Sequence, residues 1–386
     1  MNQGGGRGEQ EIGQAPRFDR ATFLAWRAPR VGTDNPSRMD NPVWTWLVHT
    51  RLCGFRANEA MDGPCSTRVG PCWSFQRFGQ ARVALADGSV VCIGGEHEDH
   101  DDPDFHIYND VVVCRPDGSV SIYTYPEAVF APLDFHSATL VGDQIVIIGA
   151  LGYARQRRHG STPVYLLSLA TFAITPIATH GTAPGWIARH AASLAAEGGA
   201  IVVRGGAVMP RAGALAEPNL DTWQLDLASW RWSRLAHCTW QRGLVLAADL
   251  RLNHLFAFRQ ALWEQQGWQG GDGMACSRLA AALGAAPDLA LYQARYHLDG
   301  MAIALARRDE DDYKDVRLLI DGTVVRITEQ ARALQVLVEG RLSPARFDAL
   351  MAGLAHVLSR LLATPCVLQL PQPAPQVVPA DIEAEG

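Results

Sequence analysis

Ser89-Val-Val-Cys-Ile-Gly94-Gly95 is an apolar run closed by two glycines, and it returns twice, as Gln144-Ile-Val-Ile-Ile-Gly149-Ala150 and as Ala200-Ile-Val-Val-Arg-Gly205-Gly206. The leading glycines, Gly94, Gly149 and Gly205, stand 55 and 56 residues apart. A period near 50 residues marks an array of similar supersecondary units. Each run follows a tight turn, Asp87-Gly88, Gly142-Asp143 or Gly198-Gly199, made of residues that accept positive φ. Each copy therefore opens with an inner hairpin, and a second hairpin comes after it. In the first copy this is Val111 to Cys114 and Ser119 to Tyr125 around Pro116-Asp117-Gly118. In the second it is Val164 to Leu167 and Phe172 to Ile177, and in the third Thr222 to Leu225 and Trp230 to Leu235.

The glycine pairs have a mechanical reason, since backbone turning sharply near a crowded centre leaves no room for a Cβ. They are read as structural, not phosphate-binding. Four-stranded units of this length, with a glycine pair ending the second strand and aromatics such as Trp223, Trp230 and Trp232 on the outer strands, resemble kelch repeats over residues 78 to 236. The family includes the central domain of galactose oxidase. The resemblance implies a kelch-type β-propeller, and the fold class expected for the chain is mainly β, three clear blades plus degenerate ones, with the strands and helix after residue 293 read as a small C-terminal α+β module or as divergent extra blades.

Three blades do not close a ring. Leu244 to Ala247 and Leu255 to Phe258 are expected to form the inner hairpin of a fourth unit that has lost its glycines. Val43-Trp-Thr-Trp-Leu-Val48 alternates at strand period and is read as a closing strand from the N-terminal side. Further on, helices are expected at Cys276 to Leu283 and from Pro287. A meander follows at Tyr296 to Ala306, Val316 to Ile320, Val324 to Thr328 and Ala333 to Val338, turning at Asp321-Gly322. Ser343-Pro344 opens a helix whose Phe347, Leu350, Met351, Leu354, Leu358, Leu361 and Leu362 share one face, and Cys366 to Leu370 reads as a last strand. The expected organisation is a disordered or extended segment at 1–40, the propeller at 41–262, a helical connector at 263–292, the meander and amphipathic helix at 293–370, and a disordered tail at 371–386.

With 48% apolar and 19% charged residues the composition is that of a globular protein, and a net charge of −6 without a Lys/Arg stripe argues against a nucleic-acid partner. No apolar run approaches the length needed to cross a bilayer, and the first twenty residues hold no secretory apolar core. Scattered cysteines suit a reducing, cytoplasmic compartment. His49, Cys53, Cys65 and Cys72 offer the spacing H-x3-C-x11-C-x6-C, which matches no tight zinc knuckle.

Chemistry is expected on the face where loops leave the second strand and enter the first. Glu96-His-Glu-Asp-His-Asp-Asp-Pro-Asp-Phe-His106 is dense in acids and imidazoles, including Glu96, His97, Glu98 and Asp99. Asp134-Phe-His136 and Arg189-His190 place His136 and His190 at equivalent positions of consecutive copies. Imidazole and carboxylate together suit a divalent transition metal, with His97, Asp99, His136 and His190 as candidate ligands. Glu98-x3-Asp102-x3-His106 also matches the iron-ligand spacing of plant kelch-type specifier proteins, and no arrangement of copper-binding tyrosines and histidines like that of galactose oxidase is present. The second copy supplies a basic loop with Arg155, Arg157 and Arg158, and Trp186 is expected nearby as packing residue or stacking platform.

The leading expectation is an interaction protein that binds a protein, peptide or polar ligand on loops 96–106, 134–136, 152–160 and 184–190. The alternative is a metal-dependent hydrolase or oxidase using the same face, with no cofactor certain. The incomplete repeats at both ends leave room for a homo-oligomer.

Overall fold

The computed structural model describes residues 16–63, 71–97, 105–212, 216–268, 271–306 and 314–369, and the chain divides into two compact units between His237 and Cys238.

In the first unit each repeat forms one antiparallel sheet. The first orders Val120–Thr124, Asp110–Cys114, Val90–Ile93 and Ala81–Ala84 side by side. The second orders Ile174–Pro176, Val164–Ser168, Gln144–Ile148 and Ser137–Val141. The third orders Arg231–Ala236, Thr222–Asp226, Ala200–Arg204 and Ala191–Leu194. The hairpin turns close on their own side chains: Asp87 Oδ1 accepts the Ser89 amide at 2.8 Å and Asp117 Oδ1 the Ser119 amide at 2.8 Å. Two short segments extend the outer edges. Ser37–Arg38 pairs antiparallel with Val120–Thr124, and His180–Gly181 pairs parallel with Arg231–Ala236.

Alternation of side chains divides the core into layers. Val91, Ile93, Val111 and Val113 of the first sheet meet Ile145, Ile147 and Leu167 of the second. Val146, Ile148 and Val164 on the reverse of the second meet Ile201, Val203, Trp223, Leu225 and Trp232 of the third. The far face of the third sheet carries Ala191, Ser193, Arg204, Arg231 and Ser233, all exposed. The far face of the first is covered by helices, where Cys92, Val112 and Ile122 pack with Phe23, Trp44, Trp46, Leu47 and Trp73.

Those helices overturn two expectations. Val43 to Val48 is not a closing strand but part of the helix Pro42–Thr50. Asn41 caps it, accepting the Val43 and Trp44 amides at 3.0 and 3.1 Å, and Pro42 takes the first helical position, so cap chemistry overrides the alternating apolar pattern. Nor is the stretch from 16 to 40 simply extended: Arg20–Trp26 is a helix whose Phe23 is fully buried. Residues 1–15 and the tail 371–386 lie outside the described residues.

The second unit is an antiparallel sheet of six strands in the order Ile303–Ala304, Asp315–Ile320, Thr323–Glu329, Ala333–Val338, Arg242–Ala247 and Cys366–Gln369. Its apolar face shares one core with the helices Leu255–Gln265, Ala275–Leu283, Leu289–Ala294 and Pro344–Leu362. Ser343 caps the long helix as expected, its Oγ accepting the Arg346 amide. Three expectations change here. Arg242–Ala247 is a strand, yet it pairs with Ala333–Val338 and Cys366–Gln369 instead of opening a fourth repeat, because Val245 and Ala247 belong to this core. Leu255 to Phe258 is the first turn of a helix, and the helices of 263–292 bury Ala275, Leu279 and Tyr292 in the same core instead of forming a connector. Of Tyr296 to Ala306 only Ile303–Ala304 is strand, after a short 3₁₀ turn at Leu298–Gly300. Glu329 is buried between the guanidiniums of Arg259 and Arg295 and accepts the Tyr296 hydroxyl at 2.7 Å, so its charge is matched inside the core.

Candidate functional site

The turn leading into the inner strand of each repeat holds one residue in the left-handed region: Gly79 at φ 61°, Phe135 at 49° and Arg189 at 59°. The Phe135 amide donates to Gly79 O at 2.8 Å, and the Arg189 amide donates to Phe135 O at 2.7 Å. The three turns are thereby tied in a row. The Arg189 guanidinium also lies 3.5 Å from the centroid of the Phe135 ring.

His136 and His190 follow the second and third of these residues, and each imidazole lies against the glycine that ends a strand of the preceding sheet. A Cβ on Gly94 would stand 3.3 Å from His136 Cε1, and one on Gly149 only 2.6 Å from His190 Cε1. The glycines of the repeat thus make room for these rings as well as for the turn. Both histidines are 8% exposed. Ser137 Oγ meets His190 Nε2 at 2.9 Å, whereas His190 Nδ1 and both His136 nitrogens have no hydrogen-bond partner among the described residues. Burial, with His190 beside it, lowers the His136 pKa to about 3, and burial lowers that of His190 to about 4. Both are neutral at physiological pH.

Asp134 is fully buried and organises the neighbouring loops. Its Oδ1 accepts the Gly152 amide at 2.6 Å and its carbonyl accepts the Leu151 amide at 2.9 Å. Burial raises its pKa above the ordinary carboxylate range, against the lowering pull of the Gly152 amide, Arg189, Glu96 and Arg157.

Glu96–His97 pairs with His106–Ile107 as a short hairpin. His97 is buried, with Nδ1 3.3 Å from Gln76 O. The Ile107 amide donates to the Tyr153 hydroxyl at 2.9 Å, and the Phe105 ring meets Tyr153 edge-on at 5.9 Å. Glu98, Asp99 and Asp102 lie outside the described residues. His106 packs its ring 4.6 Å from that of Tyr108, and burial followed by the charge of Arg77 lowers its pKa. That Arg77 is itself buried and paired twice with Asp110, at 2.5 and 2.9 Å.

On the basic loop Arg155 and Arg158 are exposed, Arg155 lying 5.4 Å from the Tyr153 centroid. Arg157 turns inward, its Nε donating to Leu151 O at 2.9 Å. Trp186 is a packing residue: it is 7% exposed, and its Nε1 donates to Leu151 O at 3.1 Å. The void beside it, between Leu133, Gly152 and Tyr165, measures about 10 Å³, room for one water at most. An open groove of about 700 Å³ runs elsewhere, along Arg30 to Met39.

The structure thus brings together Glu96, Asp134, the 151–157 loop, Trp186 and Arg189, and sets His136 beside His190. Among the described residues no three His, Cys, Asp or Glu side chains are grouped to hold a metal ion, and this includes His49, Cys53 and Cys72. Cys65 lies outside the described residues. Phe135, Tyr153 and Arg189 fall within the loops expected to form this face, but were not among the residues singled out there. The signal for Phe135 and Arg189 was their shared position, one residue before each repeat histidine.

No family model matches this chain, and no curated protein matches it. A solved structure titled "Structure of YjhT" is 11% identical, with a TM-score of 0.28, over 69% of this chain and 66% of that one; so distant a likeness carries no argument. Among the described residues no helix is long and apolar enough to cross a membrane.

Proposed function

We propose that the first unit is a kelch-like array of three blades, an open arc instead of a closed ring, and that it is a binding module for a carboxylate-bearing peptide or protein segment. The arc is supported by its ends: helices cover the far face of the first sheet, and the far face of the third is polar, as terminal units of repeat proteins are. The observation that carries the binding reading is the convergence of three loops on Asp134 and Phe135. Around it the exposed Arg189 lies over the Phe135 ring, the exposed Arg155 lies near Tyr153, whose ring meets Phe105, and the exposed Arg158 belongs to the same loop as Arg155. Guanidinium groups grip carboxylates bidentately, and aromatic neighbours add apolar contact without needing a pocket.

An array of immobilised peptides that vary in carboxylate count tests the reading. Retention is expected to rise with carboxylate number and to fall at least tenfold for a variant carrying R155E, R158E and R189E. Retention that ignores carboxylate number would refute it.

A further inference from the structure

Cys92 and Cys114 sit on neighbouring strands of the first sheet, Val90–Ile93 and Asp110–Cys114, in a register that pairs Cys92 with Val112 and Val90 with Cys114. Residues directly opposite share a face and alternate residues return to it. Both thiols therefore project to the same side as diagonal neighbours, and their side chains hydrogen-bond each other. Their settings differ. Cys92 is 2% exposed, against the core of the N-terminal helices, and Cys114 is only half-buried at the strand end. Arg82 lies directly across the ladder from Cys92, and Arg82 and Arg51 both favour a negative charge on Cys114. The Cys92 hydrogen bond, then these two arginines, bring the Cys114 pKa down to about 7, while the same hydrogen bond and burial hold the proton on Cys92.

We propose that this pair is a hydroperoxide-responsive dithiol in which Cys114 is the attacking sulfur and Cys92 the resolving one. The Cys114 thiolate attacks one peroxide oxygen and the O–O bond breaks. The departing oxygen takes a proton and leaves as water, and Cys114 becomes a sulfenic acid. The Cys92 sulfur then attacks the sulfenic sulfur, an S–S bond forms, and the hydroxyl leaves as water with the Cys92 proton. Two thiols lose two electrons and one hydrogen peroxide is reduced to two waters. The bond would tie together the two ends of segment 93–113, which carries the acidic loop from Glu96 to His106. Because it joins strands already paired in the native sheet at a diagonal spacing, it would be readily reduced.

The test is brief exposure of the folded full-length chain to hydrogen peroxide, followed by thiol blocking and peptide mapping by mass spectrometry. A peptide linking Cys92 to Cys114, lighter by two hydrogen masses and restored by dithiothreitol, is expected. C92S should stop at a sulfenic acid on Cys114 that dimedone captures, and C114S should leave Cys92 reduced. Without any substitution, the alkylation rate of Cys114 should reach half its maximum near pH 7 instead of the higher pH of an ordinary thiol. Oxidation of the exposed Cys276 with Cys114 still reduced, or Cys114 alkylation that rises only above pH 8, would overturn the proposal.

Discussion

At the scale of single residues the buried titratable groups around Phe135 set the response to acid. His136 and His190 bind protons less readily folded than unfolded, since burial brings them to about 3 and about 4 from 6.5. As pH falls below 6.5 the unfolded chain takes up protons that the native state refuses, so stability drops until the folded values are reached. For His190 alone the loss at pH 4 is on the order of 3 kcal/mol. Asp134 works in the opposite sense. Its raised pKa means that the native state gains relative stability as pH falls through its folded value toward 3.8. Urea unfolding between pH 7 and pH 4 should therefore show a falling midpoint, and replacing both histidines with phenylalanine should flatten it. An unchanged slope in that variant would place the acid response elsewhere. D134N, which keeps an acceptor for the Gly152 amide, should unfold close to the parent at pH 7, whereas D134A should lose about 1–3 kcal/mol by leaving that amide unpaired.

At the scale of elements the glycines separate two demands. Gly142 holds φ 61° in a hairpin turn with nothing within 4 Å of an added Cβ, while Gly149 holds φ 75° with Ile187 O and the His190 ring in the way. G142A should cost about 1–2 kcal/mol, the price of a left-handed alanine. G149A should cost clearly more, about 3 kcal/mol or beyond, because backbone and imidazole must also shift; equal losses in thermal melts would contradict the packing. N41A should cost about 1 kcal/mol by uncapping the helix Pro42–Thr50. These elements also show why parts of the fold were legible. The repeat strands carry their period and their turn glycines within a few residues, so local pattern sufficed. Val43 to Val48 misleads because Val, Trp and Thr read as strand while the deciding Asn41-Pro42 cap stands just ahead of them. The histidines of the candidate site were visible as equivalents, and Phe135 and Arg189 shared the position just before them, but the left-handed backbone through which they act is carried by unlike residues, Gly79, Phe135 and Arg189.

At the scale of the whole molecule the chain divides into two units between His237 and Cys238. This boundary was hidden because Arg242–Ala247 finds its partners roughly ninety or more residues later, in the strands Ala333–Val338 and Cys366–Gln369, and such pairing leaves no local trace. A protease site inserted between His237 and Cys238 should, once cut, yield two fragments that each keep a cooperative melt; loss of structure in both would contradict the division. The first unit carries the proposed binding face, and its claim rests on the exposed guanidiniums of Arg155, Arg158 and Arg189 around Phe135 and Tyr153. Fluorescence anisotropy of a labelled glutamate-rich peptide, titrated with the full chain at low and at physiological salt, tests that claim most directly. Saturable binding that weakens with salt and drops at least tenfold in the R155E/R158E/R189E variant is expected; equal binding by parent and variant, or a preference for a lysine-rich peptide, would contradict the binding reading.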